Sequence, residues 1–160
     1  MTTIPSMTTI LRLAPLALVI LAAPASAQTA VKLEGTCEKL VIAGQDLSGA
    51  CRGSLTNTVS RNRTSFDFTA EGGRTLSFAG SGAQQERTEE TDPLQPINLV
   101  IAGKDGSAAP TLAVGACSFS TPAPGKTAIT CEANAPGGGA YAGTFVTAAR
   151  AAAPPTPAAR

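Results

Sequence analysis

The sequence contains no histidine and no tryptophan, a single tyrosine and two methionines, and only 14% of its 160 residues are charged. The missing histidine removes the side chain most often used as general base, metal ligand and switch near neutral pH. Ser-His-Asp triads, Cys-His dyads and histidine-bearing zinc sites are thereby excluded. With 12 basic against 11 acidic side chains, the formal charge is +1, which gives no electrostatic basis for a nucleic-acid partner or an anionic membrane surface. Neither G-x-S-x-G nor S-x-x-K occurs. Gly137-Gly138-Gly139 with Ala142 and Gly143 imitates a dinucleotide loop only loosely, because Tyr141 to Thr147 alternates like a strand where that motif needs a helix. No cofactor is expected.

The N-terminus reads as an export signal. Arg12 is the only charge in residues 1–27; an apolar run from Leu13 to Ala23 follows, then Pro24 and the small-residue pattern Ala25-Ser26-Ala27. Eleven residues at 1.5 Å each span roughly 16 Å, too short for a bilayer core of about 30 Å. Cleavage is expected before Gln28, and no transmembrane segment is expected after it. The Ala- and Pro-rich leader points to a bacterial protein exported to the periplasm or the medium. A domain is expected over residues 28–147, with a flexible Ala/Pro-rich tail over 148–160.

After cleavage the acids and bases balance, and Leu, Ile, Val, Phe and Tyr together make 24 of 133 residues. That is a thin supply for a core, and exported domains with small cores are often stapled by disulfides. The chain has four cysteines, Cys37, Cys51, Cys117 and Cys131. No two stand in the close pairs typical of zinc sites, so no metal is expected. Local pairing, Cys37–Cys51 and Cys117–Cys131, passes a register test, against the rival of cross-links between the two hairpins. Folding the second segment on its cysteines sets Phe119 opposite Ile129 and leaves Pro122-Ala123-Pro124-Gly125-Lys126 as the loop. Folding the first sets Val41 opposite Leu47, with Ala43-Gly44-Gln45 as the loop.

The rest reads as short strands. Residues 63–70 and 74–79 alternate around Glu71-Gly72-Gly73, the clearest hairpin, with Phe66, Phe68, Leu76 and Phe78 on its apolar face. Residues 97–102 form an apolar strand, and residues 111–120 alternate with Leu112, Val114 and Ala116 as the apolar set. Gln84 to Pro96, rich in acids and proline, reads as a long exposed loop. LVIAGQD at 40–46 returns as LVIAGKD at 99–105, which raises the question of a duplicated module. The expected fold is all-β: a small antiparallel sandwich or barrel-like domain of short hairpins.

Candidate chemistry is sparse. Carboxylates are the remaining acid–base groups, and nothing in the pattern pairs them as a hydrolase requires. Glu86, Glu89, Glu90 and Asp92 lack the spaced pattern of a calcium loop. Arg52, Arg61, Arg63 and Arg74 fall within 23 residues and form one candidate interaction surface. The loop with Pro122, Pro124 and Lys126 forms another, and its preorganisation would also suit an inhibitor. The expected function is non-catalytic binding of a protein or cell-envelope component. The alternatives are a carboxylate-dependent hydrolase and a self-associating envelope protein.

Overall fold

A computed structural model describes residues 28–81 and 93–148. The expected leader, the tail beyond Ala148 and the acidic cluster at 86–92 lie outside the described residues. The strands are β1 (Thr29–Ile42), β2 (Gln45–Asp46), β3 (Cys51–Val59), β4 (Arg63–Ala70), β5 (Arg74–Ser81), β6 (Leu94–Lys104), β7 (Ser107–Ser120), β8 (Lys126–Asn134) and β9 (Ala140–Ala148), with one short 3-10 turn at Ser48–Ala50. From β3 to β9 each strand pairs antiparallel with the next, and β1 pairs with both β3 and β9. The result is a closed eight-stranded barrel, with β2 as an extra strand on the end of β1. The barrel alternative is therefore the correct one.

Closure depends on β1. Its first half, Thr29 to Glu34, pairs with β3. Its second half, Gly35 to Val41, pairs with β9 across a bulge between Cys37 and Lys39. One long strand thus spans both ends of the meander and covers much of the edge that an open sheet would expose.

Alternation fills the interior. Phe68, Phe78, Phe145, Leu40, Leu55, Leu76 and Val100 are fully buried there. An eight-stranded barrel is just wide enough for side chains to fill it. Phe68 and Phe78 meet edge-on, their ring centres 5.8 Å apart. Phe66 and Phe119 meet tilted at 5.6 Å. Gly143 makes room for this packing: a Cβ there would stand 2.6 to 2.9 Å from the ring of Phe68. With so few large apolar residues, the sulfurs also belong to the core, and Cys117 and Cys131 are fully buried in it.

Both disulfides pair locally, Cys37 with Cys51 and Cys117 with Cys131. The second hairpin has the expected register, with Cys117 opposite Cys131 and Phe119 opposite Ile129. The β4–β5 hairpin also has Phe66 opposite Phe78 and Phe68 opposite Leu76. The first disulfide segment differs. Ala43 (φ 51°) and Gly44 (φ 82°) form a two-residue turn, so Val41 faces Asp46 and not Leu47. Both turn residues have positive φ, the geometry that matches strand twist. The N–H of Leu47 donates to the carbonyl of Leu40 at 2.7 Å, and its side chain packs against the core. The expected register reappears farther along, with Leu33 opposite Leu55.

Two other expectations are corrected. On β7 the inward residues are Ala113 and Cys117, while Leu112 and Val114 are 73% and 79% exposed. The buried disulfide fixes the phase of the strand, so residues an odd number of positions from Cys117 face out. The loop expected to run to Pro96 stops earlier, because β6 begins at Leu94 and buries Gln95. The two copies of LVIAG take different places in the fold. Leu40 is fully buried, whereas its counterpart Leu99 pairs with the exposed Leu112. Ala43-Gly44 is a turn, whereas Ala102 and Gly103 lie within β6, whose turn is Asp105-Gly106.

Candidate functional site

The meander sorts the candidate residues by barrel end. Arg61 and Arg63 sit at the β3–β4 turn, and the exposed Pro122, Pro124 and Lys126 sit at the β7–β8 turn. Up-and-down connectivity places both turns at one end of the barrel. Arg52, at the start of β3, and Arg74, at the start of β5, belong to the opposite end. Strand β4 separates the two pairs by roughly 23 Å at about 3.3 Å per residue. The four arginines therefore do not form one patch, because strands reverse direction every turn and sequence proximity does not keep the residues together. Arg74 faces Lys104 directly across the β5–β6 ladder.

Acids do not gather in the interior. The polar residues buried among the described ones are Gln95 and Thr147. Glu34, Glu38, Asp46, Glu71, Asp105 and Glu132 are exposed, and Asp67 is half-buried on the outer wall. Two of them form ion pairs, Glu34 with Lys32 at 2.7 Å and Glu132 with Lys39 at 3.7 Å. Asp46 accepts hydrogen bonds from the Ser48 hydroxyl at 2.6 Å and the Ser48 N–H at 2.9 Å. These bonds hold its carboxyl below the ordinary value of 3.8, the hydroxyl contributing most. Ser48 in turn accepts from the N–H of Leu40, so the pair orders the β1–β2 corner. Among the described residues, no group of three or more Cys, Asp or Glu side chains is arranged to hold a metal.

The distinctive surface is on the outer wall of β6 and β7. Leu99 pairs with Leu112 and Ile101 with Pro110, and Val114 continues the row. Leu112 and Val114 lie two residues apart on one face, about 7 Å along the strand. Next to this row, toward the β3–β4 turn, is a cleft of about 450 Å³ lined by Asn62, Arg63, Ser81, Asn98, Leu99 and Leu112. Its residues converge through the ladders: Arg63 opposite Ser81, Leu99 opposite Leu112, and Asn98 at the register slip between Ile97 and Leu99. The amide of Asn98 donates to the Ser81 hydroxyl at 2.8 Å. A smaller groove of about 270 Å³ shares Arg63 and runs along Ser65, Asp67, Ser77, Ala79 and Ile101.

Of the expected contact residues, the cleft includes Arg63 alone. Asn62, Ser81, Asn98 and Leu99 are not among the contact residues expected from sequence, which sets Leu112 on an apolar strand face. A signal for Leu112 and Val114 was present: they lie out of phase with Cys117 and Phe119 on the same strand. Compared with protein-family models, curated proteins and solved structures, the chain matches none of them. Among the described residues no helix is long and apolar enough to cross a membrane.

Proposed function

We propose that this protein is a non-catalytic binding domain, exported to an oxidising compartment such as the periplasm or the medium, that contacts a protein partner through the outer wall of β6 and β7. The carrying observation is the exposed pair Leu112 and Val114, 73% and 79% accessible, beside the Arg63 cleft. Most large apolar side chains in this small-cored chain point inward. Leaving two of them in water forfeits roughly 1.5 to 3 kcal/mol each in burial. An apolar row beside a cation and hydrogen-bonding groups is the composition of a contact surface. Two disulfides fit an oxidising compartment. Arg61 and the loop bearing Pro122, Pro124 and Lys126 share the cleft's end of the barrel and are available to extend the contact.

The test is site-specific photo-crosslinking in cells that export the protein. A photoreactive residue replaces Leu112, Val114 or, as outer-wall controls, Thr56 and Thr69. The expected result is one and the same heterologous protein adduct at 112 and 114 and none at the controls. Adducts only between copies of this chain would replace the proposal with self-association. No adduct at either position would overturn it.

A further inference from the structure

We infer that the Arg63 cleft receives the C-terminal carboxylate of a partner polypeptide that ends in apolar residues; this assignment rests on the outer-wall reading above. One wall of the cleft is built to meet an anion. Arg63 presents a planar fork of donors, and among the described residues no carboxylate lies within salt-bridge distance of it. Its backbone is held in the β3–β4 turn, where the carbonyl of Arg63 accepts both the N–H of Ser60 at 2.8 Å and the Ser60 hydroxyl at 3.1 Å. Asn62 adds a side-chain amide. Ser81 accepts from Asn98, and among the described residues its own hydroxyl proton has no acceptor.

The opposite wall is Leu99 and Leu112, which suit an apolar side chain next to the anion. A single guanidinium matches one planar carboxylate bidentately. A volume of about 450 Å³ accommodates a terminal residue. The row does not stop at the cleft. Val114 lies about 7 Å beyond Leu112, the same repeat as alternate side chains of an extended chain. A C-terminus with apolar side chains at its last and third-last positions would place one in the cleft and one over Val114.

The experiment is an NMR titration of the intact isotope-labelled protein with three probes. These are the peptide acetyl-Ala-Leu-Thr-Val with a free carboxylate, the same peptide as its C-terminal amide, and decanoate. The acid peptide is expected to give saturable shifts at the amides of Asn98, Leu99 and Leu112. Affinity should fall at least about tenfold for the amide peptide and for Arg63→Gln, and stay unchanged for Arg52→Gln at the other barrel end. Unaltered spectra elsewhere would confirm that the variants fold. Equal binding of acid and amide, equal binding by Arg63→Gln, a response to decanoate alone, or no saturable shift would each overturn the assignment. Crosslinks at 112 and 114 that persist alongside such a result would leave the outer-wall reading standing and remove only the carboxylate.

Discussion

Removing either disulfide by a double alanine substitution tests how a small-cored barrel is held together. In both bridges the partners are 14 positions apart. In the chain-entropy model a loop of about 15 residues contributes about 3 kcal/mol by restricting the unfolded chain. Cys37→Ala with Cys51→Ala should therefore cost about 3 kcal/mol. Cys117→Ala with Cys131→Ala should cost about 1 to 2 kcal/mol more, because both sulfurs are fully buried while Cys37 and Cys51 are half-buried. The local consequences should run the other way. Cys117 and Cys131 sit opposite each other in a continuous ladder that persists without them. Cys37 and Cys51 bridge a place where the β1–β3 ladder has already ended, at Glu34 opposite Ser54. Urea unfolding monitored by circular dichroism measures the global loss, and amide exchange at Leu47 and Ala50 measures the local one. A cost below about 1 kcal/mol for the Cys37–Cys51 variant would refute the unfolded-state argument. A larger cost for that variant than for the Cys117–Cys131 variant would refute the burial argument.

Other predictions follow from single contacts. Gly143→Ala should destabilise by about 1 to 3 kcal/mol, because the added Cβ collides with the Phe68 ring and that ring is locked in the core; thermal unfolding measures it. Ala43→Gly should stabilise by about 0.5 to 1 kcal/mol in the same assay, since Ala43 holds φ 51° in a turn that favours glycine. Asp46 should titrate below 3.8 by NMR, and Ser48→Ala should return it toward that value. Its folded pKa is depressed, so the stability it contributes is present above the ordinary carboxylate range and is lost as pH falls through the folded value.

Much of this fold is legible in the sequence because two cysteine pairs and one phenylalanine-rich hairpin fix registers locally. Phe66, Phe68, Leu76 and Phe78 alternate around a Gly-Gly turn, and no tertiary contact is needed to pair them. Closure of the barrel is not legible. It depends on β1 meeting β9, more than a hundred residues away, and no local pattern encodes that pairing. The β7 error has a clear physical origin. Leu112 and Val114 look like a core face on hydrophobicity alone, but Cys117 and Phe119 on the same strand have the opposite parity. Only one set can face inward, and the buried disulfide decides which. The cleft was hidden for a related reason: Arg63, Ser81, Asn98 and Leu112 come from four strands and meet only after three ladders are in register.

The central claim is that Leu112 and Val114 belong to a contact surface and not to the core. Equilibrium urea unfolding of the Leu112→Thr, Val114→Thr double variant tests it most directly, since threonine keeps strand propensity while removing apolar bulk. The account predicts a change within about 0.5 kcal/mol of the parent, the usual range for surface substitutions. A loss of about 2 kcal/mol or more, the scale of buried apolar truncation, would place both side chains in the core and contradict it.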